Sequence, residues 1–451
     1  MNVVLRGVRV IDPGAGRDES GLDVWMRDGR LIAIDRRVDG EGARIVDLTP
    51  ARGVAPLVVC PGFLDLHAHL REPGEESKET VRSGAAAAAA GGFTQIVAMA
   101  NTSPAVDTPE RVGAARGRSA RLSVRVVPVA AVTRGLAGAE LVDVQACAAA
   151  GAAAFSDDGR NAAPPRLLAD ALREADEVDR AVLVHPEDES MVLAANPRSH
   201  AAAVTRCPER PAGCEESAVE QAVRALAEAR RGRLHLQHLS CAAAVRLLRE
   251  ARELGGPITA EVTPHHLGMW LPFEEEPEPR ALRKVNPPLR SAADREALVQ
   301  ALREGLVDAV ATDHAPHSAL DKAADFADAP PGMIGLETAF AVCATLGGMG
   351  GAWLPVLIER MTTGPWRVLG PESGLTEPRL RVGARADLLL IDTEADWAVD
   401  ATALRSRSRN TPLLGTTLRG RVLLTIARGR VAHIEPAPLL LGGFPEAVPV
   451  A

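Results

Sequence analysis

The sequence predicts an α/β protein: a (β/α)8 TIM-type barrel with a small β-sandwich domain formed by both chain termini. Three observations point to it. The 451 residues exceed what one small core needs. Between 61 and 372, short apolar runs alternate with Ala- and Arg-rich helical stretches, the pattern of repeated βα units and a parallel sheet. Both ends of the chain have a different texture, with strand and hairpin signals and no long amphipathic helix.

Residues 1–60 give the N-terminal part of the small β-domain, through VVLRGVRVI, LDVWMR, RLIAIDR and ARIVDL separated by Gly, Asp and Pro. Residues 373–435 give its C-terminal part, through GARADLLLID, WAVD and LRGRVLLTIARGRVAHI. Neither half has enough strands to bury a face alone, so the two are expected to meet in one domain. The span 61–372 lies above the ~250 residues typical of a barrel. Such a fold places its active site on the loops after the C-terminal strand ends. The run Ala85 to Ala90 reads as helix interior, and the Pro- and Gly-containing stretch 436–451 as a tail over the surface.

Composition excludes several function classes. Net charge is −8, and no Lys- or Arg-rich run supplies the footprint of a nucleic-acid binder. No uncharged apolar run reaches the ~20 residues of a membrane span, and the first dozen residues alternate apolar with polar instead of forming a signal peptide. The six cysteines are scattered, which suits a reducing cytoplasm. Only Cys207 and Cys214 lie close together, with a spacing that reads as two unpaired loop thiols. The absence of Tyr reflects compositional bias and carries no functional reading.

Ten of the eleven histidines fall between residues 67 and 317, all but His433. In GFLDLHAHL an apolar run leads into His67 and His69, two apart, a spacing that puts both side chains on one face of a strand. Four other strand-like runs stop on similar groups: AAAFSDD on Asp157 and Asp158, AVLVHPED on His185, LHLQHLS on His238 and VDAVATDHAPH on Asp313. Singly, each has an ordinary reading as a cap or a hydrogen-bonded core histidine. Together, at ends that a barrel gathers around one pocket, they read as a metal site. Imidazole with carboxylate suits zinc, which keeps an open position for water in catalytic sites. Six candidates exceed the three or four that one ion needs, so one or two ions are expected, two favoured, with a carboxylate able to bridge ions ~3.5–4 Å apart.

The segments PGFLDLHAHLREPGEESKET, GGFTQIVAMANTSP, FSDDG, HPED, HLS, AEVTPHH, KVNPPLR, ATDHAPH and GLETA, in this order, resemble the class I dihydroorotases of the amidohydrolase superfamily. The resemblance runs through most of the chain. It implies that His67, His69, Asp158, His185, His238 and Asp313 hold the metals, with Asp158 bridging them. Hydantoinases and allantoinases use a carboxylated lysine there, and FSDDG contains none. It further implies that Arg71 binds the substrate carboxylate, with Asn101, Asn286 and His317 around the ring and the Pro331–Gly332 backbone beside it. An arginine fork suits a carboxylate, and an acidic protein needs a local cation to hold an anion. The chain departs from the family pattern at Ala100, Pro186 and Pro331, where proline, cysteine and phenylalanine are usual. His265 and His266 fit the pattern as supporting residues behind a complete ligand set.

The implied chemistry is zinc-dependent, reversible interconversion of dihydroorotate and N-carbamoyl-L-aspartate in cytoplasmic pyrimidine biosynthesis, with Asp313 as general base and then general acid. The competing readings are another cyclic amidase, of hydantoinase or allantoinase type, and a metal-free homologue serving as a scaffold for aspartate transcarbamoylase. A homodimer and a complex with aspartate transcarbamoylase are left open as assemblies.

Overall fold

A computed structural model describes residues 1–161, 164–194, 210–271, 280–346, 352–436, 440 and 444. The chain opens with β1 (Asn2–Asp12), β2 (Arg17–Arg27), β3 (Arg30–Asp35), β4 (Arg44–Asp47) and β5 (Val58–Pro61). Eight strands with intervening helices follow: β6 (Phe63–Ala68), β7 (Phe93–Ala98), β8 (Arg125–Pro128), β9 (Phe155–Asn161), β10 (Ala181–His185), β11 (Arg233–Leu236), β12 (Ile258–Val262) and β13 (Ala309–Val310). The chain then returns to antiparallel structure with β14 (Leu388–Ala398), β15 (Thr417–Ala427) and β16 (Arg430–Ile434).

The two ends build one eight-stranded sheet in the order β16-β15-β14-β5-β1-β2-β3, with β4 added along β1. Its seam is the antiparallel pairing of β14 with β5, Leu388 opposite Pro61 and Ile391 opposite Val58. Val3, Leu5, Val8, Val10, Leu388, Leu390, Leu424 and Ile426 bury one shared apolar face, so the two halves complete each other's core. The expected surface tail does not lie wholly on the surface. Leu440 is buried in this core and Phe444 packs against it, while 437–439, 441–443 and 445–451 lie outside the described residues.

In the middle of the chain, β6-β7-β8 and β9 through β13 form two parallel sheets. Parallel bridges Ala130↔Phe155 and Ala68↔His314 link them at both edges, so all eight C-terminal strand ends face one way. Helices cross back between these strands, as parallel pairing requires. The helix Val81–Ala90 starts on a capping box between Thr80 and Ser83. Ala292–Glu304 starts on another, between Ser291 and Asp294, and ends at left-handed Gly305. The alanines of the first let it sit close to the sheet, with Ala85, Ala87, Ala88 and Ala89 buried. No helix among the described residues is long and apolar enough to cross a membrane. Cys60, Cys147, Cys214, Cys241 and Cys343 are buried free thiols; Cys207 lies outside the described residues.

Candidate active site

The strand ends differ in detail from the sequence reading. β9 does not stop at Asp157 and Asp158 but runs on to Asn161, while β11 and β13 end before His238 and Asp313, which sit on the loops that follow. These loops bend sharply. Arg71, His238 and Asp313 have φ of 59°, 32° and 44°, a left-handed backbone that side-chain-bearing residues rarely adopt and that costs of order 1 kcal/mol each.

All six histidine and aspartate side chains converge. Asp158 lies at the centre: its Oδ1 is 3.3 Å from His67 Nε2 and 3.6 Å from both His185 Nδ1 and His238 Nε2, and its Oδ2 is 3.4 Å from His69 Nε2. Asp313 Oδ1 is 3.1 Å from His69 Nε2 and 3.6 Å from His67 Nε2. His185 Nδ1 and His238 Nε2 are 2.8 Å apart. Two trios, His67, His69 and Asp313, and His67, Asp158 and His238, each bring their ligand atoms within 4.8 Å of one another, and His67 belongs to both.

This donor set fits a metal. His67 Nε2 and Asp158 Oδ1, which face each other at the centre of the cluster, are buried without a hydrogen-bond partner. Such orphaned atoms cost about 1–3 kcal/mol each unless something else satisfies them. Burial by itself would raise both carboxyls, yet His67 foremost holds Asp158 and Asp313 below the usual carboxylate range. Burial would lower His67 and His185, but Asp158 raises both, His185 to about 9 with Glu187. Without a cation the two carboxylates are thus balanced by protons held on neighbouring imidazoles, protons that a bound metal ion would displace.

A further ring of buried groups orients the imidazoles. Glu261 accepts at Oε1 from His67 Nδ1 (2.9 Å), and at Oε2 lies 3.1 Å from His235 Nε2. Asn101 Oδ1 is 2.9 Å from His69 Nδ1, and its amide reaches the Asp158 carboxylate at 3.4 Å. Glu187 sits 3.0 Å from His185 Nε2 and 2.5 Å from Arg210. Asp157 turns away from the cluster and accepts from the Val132 and Thr133 amides, 2.8 and 3.0 Å away. His266 bonds Thr263 Oγ1 at 2.8 Å and the Pro287 carbonyl at 2.9 Å, while burial lowers His265 to about 4.

Above the cluster lies a cleft of about 190 Å³. Its walls include His69, Asp158, His185, His238 and Asp313 together with Arg71, Asn101, Asn286, His317, Pro331 and Gly332. Arg71 donates from Nε to the Pro316 carbonyl (3.1 Å); its Nη2 lies 3.4 Å from His317 Nε2 and its Nη1 3.9 Å from Glu75 Oε2. Burial and the adjacent Arg71 push His317 down to about 3, so it is neutral and its Nε2–H donates to the Pro331 carbonyl (2.8 Å). Because Pro331 engages through its backbone, the departure from phenylalanine leaves this contact intact. Gly332 has φ 129°, and a Cβ there would stand 2.6 Å from Ala315 Cβ, so only glycine fits.

Sequence reasoning missed the residues that hold this architecture. Lys322 donates to the carbonyls of Pro330 (2.7 Å) and Ala281 (3.0 Å), tying down the loop beside the cleft, and burial lowers its ammonium to about 7. Asn410 bonds the His317 amide (3.0 Å) and the carbonyls of Ala315 (2.9 Å) and Gly332 (3.2 Å). Glu261 did carry a signal, as a carboxylate inside the otherwise uncharged strand ITAEV. Asn410 and Lys322 carried none, since each acts on loops remote in sequence.

Histidines and carboxylates at the ends of parallel strands, roofed by a small polar cleft, define a metal-dependent hydrolase of the amidohydrolase class. Residues 57–241 match the family model described as "Dihydro-orotase-like". A dihydroorotase of Anaeromyxobacter dehalogenans (strain 2CP-1 / ATCC BAA-258) is 43% identical over 96% of this chain and 98% of its own length. That of Bacillus subtilis (strain 168) is 38% identical over 93% and 95%. Among solved structures, L-hydantoinase (dihydropyrimidinase) from Arthrobacter aurescens superposes with a TM-score of 0.83 at 26% identity, covering 97% of both chains. The chain belongs to the dihydroorotase family.

Proposed function

We propose that this protein interconverts N-carbamoyl-L-aspartate and (S)-dihydroorotate in pyrimidine biosynthesis, using residues 61–372 as a closed (β/α)8 catalytic barrel. The parallel bridges at both sheet edges support closure, and the shared core of 1–60 and 373–435 supports their reading as one small sandwich domain. The observation that carries the function is the convergence of six metal-type side chains beneath a cleft containing Arg71, in a chain about two-fifths identical to dihydroorotases along its length.

In this reading His67, His69, Asp158, His185, His238 and Asp313 would hold zinc, two ions favoured over one, with Asp158 the carboxylate at the centre of the set. Zinc supplies Lewis acidity, polarising the scissile carbonyl and making water nucleophilic at neutral pH. Arg71 clamps the substrate carboxylate, and Asn101 and Asn286 fix the ring. Asp313 takes the proton of the attacking water and hands it to the departing ring nitrogen; in the cyclising direction it runs the same transfer backwards. His317, neutral and tethered to Pro331, shapes the wall without adding charge.

A substrate panel tests the assignment: dihydroorotate should be turned over well ahead of hydantoin and allantoin, and a preference for hydantoin would overturn it. Arg71→Ala is expected to raise KM for dihydroorotate about 10- to 100-fold, the worth of hydrogen bonds to a charged group. Zinc content should be unchanged in that variant. For Glu261→Gln the expectation is the reverse split. Metal affinity should fall about 10- to 100-fold, as for other groups that orient a ligating histidine, read as zinc retained after dialysis against a competing chelator, with KM for dihydroorotate little altered in zinc-saturated protein.

A further inference from the structure

At the opposite end of the parallel strands from the catalytic cleft is a second cavity, larger at about 430 Å³ and lined by four arginines: Arg116, Arg125, Arg180 and Arg428. They come from four separate places, the last turn of helix Pro109–Arg118, the first residue of β8, the residue before β10 and the β15–β16 turn. No basic run marks them in the sequence. Arg180 opens the strand that His185 closes, so the two sites are about 16 Å apart along β10 at ~3.3 Å per residue.

Among the described residues these guanidinium groups make no ion pair. Arg125 Nη1 donates to the Gly374 carbonyl (3.0 Å), Arg428 Nη1 to the Leu122 carbonyl (3.2 Å) and Arg180 to the carbonyls of Ala152 (2.9 Å) and Val178 (3.0 Å). Backbone carbonyls position the forks, and the carboxylates nearby, Glu372 and Asp179 for Arg180 and Asp387 for Arg125, offset their charge only in part. Glu372 is the one acidic residue of the lining, and behind the wall Asp387, raised by burial to about 6, stays mostly ionised at neutral pH and acts on Arg125 and Arg428. Burial lowers Arg125, and Arg428 and Arg116 add to this by like-charge repulsion.

Two backbone features maintain the cluster. Gly151, the left-handed C-cap of helix Val144–Ala150 with φ 107°, packs against Arg116, whose Nη1 would stand 2.8 Å from a Cβ there. Arg428 occupies a left-handed turn position, φ 52°, where Asn, Asp or Gly is favoured. Four half-buried to exposed cations held together against their own repulsion, in a protein of net charge −8, form a built receptor for an anion.

We propose that this cavity binds a small phosphorylated molecule, its phosphate gripped by Arg125 and Arg428 with Arg116 and Arg180 alongside. The planar forks match phosphate oxygens in pairs, and the volume exceeds that of a bare phosphate, leaving room for an organic moiety.

Calorimetric titration of the zinc-loaded enzyme with inorganic phosphate and with glycerol 3-phosphate, at ionic strength held constant with chloride, tests this. Saturable binding at one site per chain is expected, tighter for the ester. The Arg125→Ala, Arg428→Ala double variant should weaken it at least about tenfold, because a hydrogen bond to a charged group is worth a decade or more. Dihydroorotate turnover and unliganded Tm should be retained. Should that variant fold poorly, Arg116→Glu, at an exposed helix end, must show the same weakening. Arg71→Ala must leave phosphate binding intact, which separates this cavity from the catalytic cleft. Absence of saturable binding, equal binding by the double variant, loss in Arg71→Ala, or binding of a hexaglutamate peptide in place of either phosphate would each overturn the proposal.

Discussion

Asp313→Asn is expected to lower kcat by about 10² to 10⁴, the contribution typical of a positioned general acid or base, while most of the bound zinc remains. Asp313 Oδ1 lies 3.1 Å from His69 Nε2 and the residue lines the cleft, so its carboxylate faces metal donors and substrate at once. The amide keeps an oxygen of the same size at the same place but cannot accept a proton at neutral pH. Asp313→Ala removes both functions and should lose zinc as well as rate. Ring opening and ring closure should suffer equally in the Asn variant, since the base of one direction is the acid of the other. Steady-state rates in both directions, alongside zinc content, provide the check. A metal-loaded Asn variant with near-normal kcat would show that the proton moves through another group.

Stripping the metal should have the largest effect of all. Lewis-acid assistance is worth several kcal/mol, so dialysis against a chelator is expected to reduce turnover at least about 10³-fold, with recovery on adding zinc. The stripped protein should also melt at a lower temperature, because ligands that bind only the folded state stabilise it by mass action. The cluster explains why: without a cation, His67 Nε2 and Asp158 Oδ1 are buried and unsatisfied. Titrating zinc back and counting equivalents at full recovery decides between one ion and two. Full turnover by protein shown to contain no metal would refute the proposed chemistry.

How much of this was legible beforehand depends on the distance over which each residue acts. His67 and His69 were readable because a two-residue spacing on a strand is a local fact. His185, His238 and Asp313 were readable because each follows an apolar run. Strand limits were less so: hydrophobicity marks where a strand is buried, not where hydrogen bonding ceases, and β9 continues through the polar SDDGRN. Residues acting across the fold left little trace. Asn410 reaches Ala315 and Gly332 from a loop about 80 to 95 residues further along the chain, and its segment SRSRNTPLLG looks like ordinary surface loop. The four arginines of the second cavity were invisible for the same reason, since a charge cluster assembled from four segments has no linear signature.

The seam between β5 and β14 bears on how this chain is made. Leu388 pairs with Pro61, more than 300 residues earlier, so β5, which finds β1 early on one edge, waits for its second partner until most of the chain has been made. Until β14 emerges, β5 offers an open strand edge to the cell while the catalytic segment between them is already being synthesised. The small sheet can therefore close only after β14 has been made, and a chain cut short of it would keep that edge of β5 open.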